Sequence, residues 1–452
     1  MDKAQSQPIP VEKGWPLLGV LPKLFNGDPF EYLKNVMLER GDFVQLNIGT
    51  QPVYLVSHPD YLKRILWENH HNYRRPGMFY NILRRIAGNG LATSEGDFWL
   101  RQRRMIQPHL HRKNLAYLFA EMTGAIDDVL TDWMPLAKDS VEIEMGSRMG
   151  EITGVIITRT LFGKGILPTA EVSEICSYIF RINKFGGQSG LLPEWIPLPG
   201  RKQFRDDINA TREAVNYIIA KSRQEKETSA SLIKMLINTV DDESQEQMTE
   251  QQLFDEVMTL VIAGYETTAT ALTWFIVAMQ QWPEVFEKLR AEIDQVLGSR
   301  PPSFDDVPRL VYTRQALMET LRMYTVVPFL SRAVNETDQL GPYTLPANAL
   351  LFVFLHGVHH NPRAWPNPKV FDPDRFSPEG IANQHPFAYL PFSAGPRKCV
   401  GNEFALLEGT LIIAMLLQKY NLNMLPNQTF QARMGSMMHP HMGVKLTLSI
   451  RQ

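Results

Sequence analysis

Cysteine is nearly absent from this chain: Cys176 and Cys399 are the only two in 452 residues. A secreted disulfide framework is therefore improbable, and a four-thiolate zinc or iron–sulfur site is excluded by count. An imbalance of charge is also lacking. The formal net charge is −2 with Lys and Arg scattered, so there is no overall basic field for nucleic acid, and none is expected as a partner. The first residues, Met1 to Pro10, contain no apolar run, so neither a signal peptide nor a transmembrane anchor is expected. No Pro/Gly/Ser linker and no internal repeat interrupts the sequence, which predicts one domain over residues 1–452. The chain is expected to be cytoplasmic and monomeric, and at 44% hydrophobic and 21% charged it suits a large packed globular core rather than disorder.

The pattern along the chain predicts a mainly α fold with a minor β region. Phe43–Ile48 and Gln51–Ser57, with a turn at Gly49, read as a hairpin. From Pro59 to Tyr420 helical periodicity dominates, and strand-like runs return at Leu350 to Phe354 and Val444 to Ile450. The longest helix is predicted from Glu250 to Gln281. Thr249 and Gln252 form a capping box in front of it, Met248 and Leu253 a staple, and Pro283 its stop. Its middle is apolar on nearly every side, as in a helix buried through a core or one crossing a membrane; Glu266 and a run of threonines favour burial.

Chemistry concentrates around Cys399. The segment Phe392-Ser393-Ala394-Gly395-Pro396-Arg397-Lys398-Cys399-Val400-Gly401 leads into a helix expected from Glu403 to Leu417. A thiolate there sits where a glycine-bounded loop meets a helix N-terminus, whose free N–H groups and dipole favour an anion. The spacing Phe-x-x-Gly-x-Arg-x-Cys-x-Gly resembles the haem-binding loop of the cytochrome P-450 family, with every fixed position filled. The resemblance implies that Cys399 is the axial ligand of a haem iron, in heme b (iron protoporphyrin IX), with the haem between the long central helix and the cysteine-loop helix. It makes Phe392 a cover for the sulfur, Gly401 a point of close backbone approach, and Arg397 a partner for a haem propionate.

Within the central helix, Ala263-Gly264-Tyr265-Glu266-Thr267-Thr268 resembles the family's oxygen-binding segment. Small residues Ala263 and Gly264 leave room for a flat macrocycle, and a threonine hydroxyl bonding back to a carbonyl can open the helix locally. The resemblance implies that Thr267 hydrogen-bonds dioxygen and that Glu266 relays protons. A plainer reading has Gly264 serving helix packing.

Three further segments carry the resemblance. Glu319 and Arg322, three apart on a predicted helix, share one face; Arg375, in Phe371-Asp372-Pro373-Asp374-Arg375-Phe376, completes the family's structural triad. Trp99 and Arg103 share a face at a four-residue spacing and are implied propionate contacts, as is Arg332 beyond Pro328. Apolar residues of an implied substrate pocket come from Pro76 to Leu91, Phe180, Leu191, Leu260, Val326 to Leu330 and Gly435 to Met438, with a lid expected around Gly186-Gly187 and Pro193 to Pro199.

The expectation that follows is a bacterial-type haem-thiolate monooxygenase without anchor or fused reductase, inserting one atom of dioxygen into an apolar substrate of lipid, terpenoid or polyketide-like character by hydroxylation or epoxidation. No flavin, nicotinamide or iron–sulfur motif accompanies Cys399, so electrons come from a separate ferredoxin or flavodoxin with its reductase. Arg101, Arg104, Arg112, Lys113 and Lys398 are candidates for that docking face. A peroxide-driven or rearranging haem-thiolate enzyme and a non-catalytic haem sensor or carrier are the alternatives.

Overall fold

A computed structural model describes residues 7–165, 169–189, 198–224, 231–433 and 437–451. Helix occupies 59% of the chain and strand 12%, the mainly α class with a minor β part. The chain divides into two compact units, each built from distant stretches of sequence.

The first unit comprises Met1–Phe79, Met318–Cys399 and Phe430–Met442. Its centre is a five-stranded sheet in the order Phe43–Ile48, Gln51–Val56, Leu350–Phe354, Phe329–Val334, Tyr73–Arg74. The predicted hairpin is present, with Phe43 opposite Val56 and Ile48 opposite Gln51. Gly49 turns it at φ 61°, a left-handed conformation that glycine adopts without steric cost. Side chains alternate across a strand, and both faces are covered here. Phe43, Val56, Leu351 and Val353 pack in one cluster, while Val44, Leu46, Leu55 and Phe354 pack in another. A sheet buried on both faces explains why these strands read as continuous apolar runs.

Strand Phe329–Val334 and the small hairpin Asp338–Leu340 with Tyr343–Leu345 fall inside the stretch where helical periodicity was expected to dominate. Phe329–Val334 has no clean alternation, since its first three residues are half-buried and its last three buried. Its identity comes from pairing with Leu350–Phe354 and Tyr73–Arg74 rather than from its own pattern.

The second unit comprises Tyr80–Leu317, Val400–Thr429 and Gly443–Gln452. Its axis is the helix Glu250–Gln281, with the bounds the sequence predicts. The Thr249 hydroxyl accepts the Gln252 N–H at 3.2 Å and the Gln252 side chain accepts the Thr249 N–H at 2.8 Å, closing the capping box. At about 1.5 Å per residue it runs roughly 48 Å. It is long and apolar enough to cross a membrane, yet 78% of its most apolar window is buried inside the structure. Helix Met145–Phe162 packs along it, with Gly150 accommodating the Tyr265 ring, Gly154 the Cys176 sulfur, and the Thr153 hydroxyl donating to the Tyr265 carbonyl at 3.0 Å. Helix Asn402–Lys419 packs against the central helix too and is buried continuously from Leu406 to Leu417. A second sheet joins Ile143–Glu144, Lys445–Ile450 and Tyr420–Met424.

Candidate functional site

In the first unit, the cysteine segment is a loop closed on itself. The Cys399 N–H donates to the Phe392 carbonyl at 2.9 Å, and the Lys398 N–H donates to the Gly395 carbonyl at 3.0 Å. Gly395 has φ +73°, and a Cβ there would lie 1.8 Å from the Leu66 carbonyl oxygen. Only glycine fits, both for its backbone conformation and for the closeness of the π-helical turn Arg64–Glu68 that carries Leu66. Gly401 differs: at φ −90° its conformation is open to any residue. It caps helix Asn402–Lys419 without a side-chain hydrogen bond, which leaves the first-turn N–H groups and the positive dipole end without a side-chain acceptor from the cap. Cys399 is exposed, whereas Cys176 is buried and its thiol is pushed up to about 12 by that burial. Of the two sulfurs, Cys399 is the one that can present a thiolate.

Phe392 and Arg397 lie half-buried in the same loop. Arg332, on the strand Phe329–Val334 between Leu350–Phe354 and Tyr73–Arg74, is 6% exposed and donates to the Ser331 carbonyl at 2.8 Å. The same unit holds the expected triad. Arg322 donates to both Glu319 oxygens at 2.7 and 2.8 Å, and Arg375 lies 3.5 Å from Glu319. Glu319 and Arg322 are fully buried. Burial raises the Glu319 carboxyl, and the two arginines together with the Asp372 N–H pull it back.

In the second unit, Thr267 donates its hydroxyl to the Ala263 carbonyl at 2.6 Å. The helix nevertheless stays continuous through Glu250–Gln281, so the local opening expected there is not present. Thr259 and Thr273 make the same back-bond, to Asp255 and Ala269. What sets Thr267 apart is access. Ala263 is exposed and Gly264 and Thr267 half-buried in a stretch whose neighbours Val261, Ile262, Tyr265, Thr268 and Ala269 are buried. Gly264 serves packing: a Cβ would come within 2.8 Å of Ile157 on helix Met145–Phe162. Of the two small residues, Ala263 alone opens a face. Glu266 is 6% exposed, and its Oε2 accepts from the Asn183 amide on helix Thr169–Ser189. Trp99 and Arg103 share one face of helix Gly96–Ile106, the guanidinium 5.8 Å over the indole, and Arg103 also donates to Gln107 at 2.9 Å.

These features fit a haem. Among the described residues no three His, Cys, Asp or Glu side chains converge as a metal site. A macrocycle brings its own nitrogen ligands and asks the protein for one axial atom, which an exposed cysteine in a closed loop supplies. An open patch at Ala263 and Thr267 on an otherwise buried helix is a face a flat group can cover.

The family model for cytochrome P-450 matches residues 9–447. The chain belongs to the cytochrome P-450 family. It is an oxidoreductase, a haem monooxygenase that uses dioxygen and a redox partner. Among its relatives, cyclooctatin synthase of Streptomyces melanosporofaciens is 32% identical over 90% of this chain and 88% of its own length. Cyclooctat-9-en-7-ol 5-monooxygenase of the same organism is 31% identical, over 92% and 89%. Carotene epsilon-monooxygenase of Arabidopsis thaliana is 28% identical, over 95% and 83%. The crystal structure of the cytochrome P450DA heme domain superposes with a TM-score of 0.91 at 23% identity, covering 99% of this chain and 98% of that one, which fixes the fold.

Several expected placements change. Met438, assigned to the substrate pocket, is 1% exposed and packs in the core cluster of Leu46 and Phe354. Phe180 is 47% exposed. Leu191, Gly435 and most of the expected lid, 190–197, lie outside the described residues. Two residues of the basic docking face are engaged elsewhere: Arg104 pairs with Asp241 at 2.9 Å and with Glu243 at 2.7 Å, and Arg101 with Glu246 at 3.2 Å. Sequence reasoning missed Asn183, whose only signal was a polar residue in an apolar stripe. It also missed Glu256, whose carboxylate holds the Leu91 N–H at 2.9 Å and the Gln102 amide at 3.0 Å. Burial lifts Glu256 to about 7.

Proposed function

We propose that this monooxygenase inserts one oxygen atom into an apolar substrate, by hydroxylation or epoxidation, with Cys399 as the sole protein ligand of its haem. The observation that carries the reading is the self-closed loop Phe392–Cys399, with its exposed cysteine and obligatory glycine. The residues that would hold the group, heme b, are those the family resemblance implies: Cys399 as ligand, Arg397, Arg332, Arg103 and Trp99 as propionate partners, and Phe392, Gly401 and Ala263 as close neighbours. When bound, haem supplies the reduction and cleavage of dioxygen and the delivery of one oxygen atom to carbon. The chain's own groups do the rest. Cys399 would supply the anionic sulfur, a form favoured by the helix N-terminus without a side-chain cap that follows it in sequence. Thr267 Oγ1 holds a hydrogen bond at the exposed patch of the central helix, and the Glu266 carboxyl passes protons towards it.

Cyclooctat-9-en-7-ol and carotene, the compounds in the names of two relatives, favour a terpenoid among the apolar classes. A separate ferredoxin or flavodoxin with its reductase supplies the electrons, and the cytoplasm is the compartment. One domain spans 1–452, in keeping with a single family match over 9–447.

Purified haem-loaded protein tests the reading directly. The carbon monoxide difference spectrum of the reduced protein should show the thiolate signature, and Cys399→Ser should abolish it. Optical titration with terpenoids should displace iron-bound water and name the ligand class. If peroxide alone sustains turnover at the rate of dioxygen with a reductase system, and Thr267→Ala changes nothing, the dioxygen-activating role is wrong.

A further inference from the structure

Helix Thr169–Ser189 carries an inward stripe at the helical spacing of three and four residues: Val172, Cys176, Ile179, Asn183, Gly186. Val172 is 5% exposed, Cys176 7% and Ile179 0%, and a Cβ on Gly186 would touch Ile82 at 3.4 Å. Asn183 is the polar member of this apolar stripe. Its amide donates to Glu266 Oε2 on the central helix.

A carboxylate that is almost wholly buried needs donors, and the identity of the donor decides what else the carboxylate can do. A lysine or arginine would hold it as a permanent ion pair. An asparagine amide satisfies one oxygen and fixes the rotamer while adding no charge. The backbone presenting that amide is itself fixed, because Ile179 and Ile182 on the same helix are fully buried.

We propose that Asn183 is a positioning residue for proton delivery: its neutral amide holds the Glu266 carboxyl in the one orientation from which it serves Thr267. The inference rests on the reading of Glu266 as proton relay, and goes beyond it by naming what aims the relay. Loss of the amide lets the carboxyl turn away, and reducing equivalents then leave as hydrogen peroxide instead of product. A hydrogen bond to a charged group is of a size to change that partition by roughly tenfold.

The experiment compares Asn183→Leu, Asn183→Asp, Glu266→Gln and the double variant Asn183→Leu/Glu266→Gln as haem-loaded full chains with a reconstituted redox system. The first readout is the ratio of peroxide to product per electron consumed. The expected result is a rise of roughly tenfold in Asn183→Leu and in Asn183→Asp, and no further rise when Asn183→Leu is added to Glu266→Gln. A second readout needs no turnover: the side-chain amide protons of Asn183, followed by nitrogen-15 NMR, should exchange slowly in the native chain and faster in Glu266→Gln. Impaired Glu266→Gln with wild-type coupling in both Asn183 variants overturns the inference and leaves the Glu266 relay standing. Wild-type coupling in Glu266→Gln overturns the relay itself and the inference with it. Equal losses from Asn183→Leu in both backgrounds, or Asn183 amide protons exchanging at the bulk rate, also overturn the inference, whether or not the variants load haem normally.

Discussion

Replacing Arg322 by lysine keeps the charge and should still break the first unit. The guanidinium makes five hydrogen bonds in full burial: two to Glu319, and one each to the carbonyls of His359 at 2.8 Å, Pro368 at 3.0 Å and Val370 at 3.3 Å. Its plane also lies 5.3 Å over the buried Trp365 ring. A lysine ammonium is a point donor without the planar fork, so it reaches Glu319 or the carbonyl cluster, but not both. Each buried acceptor left without a partner costs about 1–3 kcal/mol, and disrupting a buried pair costs about 3–5 kcal/mol. Arg322→Lys should therefore lose about 3–5 kcal/mol, read as a fall in the guanidinium chloride midpoint followed by tryptophan fluorescence. The control is Lys419→Ala, which breaks an ion pair to Asp127 whose side chains are 33% and 57% exposed and should cost under about 1 kcal/mol. If Arg322→Lys proves as mild as that control, the reading of Glu319, Arg322 and Arg375 as a structural lock is refuted.

Gly395→Ala should prevent haem loading: left-handed backbone costs an L-residue about 1–2 kcal/mol, and the new methyl would meet the Leu66 carbonyl at 1.8 Å, so the loop must shift. The haem-to-protein ratio after reconstitution measures this, and normal loading would contradict it. Glu408, fully buried on helix Asn402–Lys419 beside Thr268, is pushed up to about 8 by burial from an ordinary 4.5. A folded-state value above the unfolded one gives stability that is present below 4.5 and lost as pH rises through about 8, on the order of 5 kcal/mol at about 1.4 kcal/mol per pKa unit. Glu408→Gln should remove that loss, so that variant and parent have stabilities that converge at pH 4 and diverge in the variant's favour at pH 9; parallel pH profiles from denaturant titration would contradict it.

What the sequence made legible was what depends on neighbours close in the chain. The bounds of Glu250–Gln281 follow from a capping box at Thr249 and a proline at 283, both read within a few residues of the ends they set. The hairpin at Gly49 and the pairing of Glu319 with Arg322 are local in the same sense. Strand Phe329–Val334 escaped for the opposite reason. It is a strand because Leu350–Phe354 and Tyr73–Arg74 flank it, and the second of these comes from more than two hundred residues earlier.

The candidate site divides along the same line, and Ala263-Gly264 shows where. Two adjacent small residues read alike as room for a macrocycle, but they point to different sides of one helix: Gly264 at Ile157, Ala263 at open space. Small size in a sequence says that something comes close, and only the packed structure says whether it is a neighbouring helix or a ligand. Glu266 follows the same logic from the donor's side. Its carboxylate was legible as an acid, whereas the amide that donates to it comes from Asn183, 83 positions earlier. A motif therefore names candidate groups, while what packs against them lies in residues such as Asn183, which belongs to no motif and becomes visible only where helices distant in sequence meet.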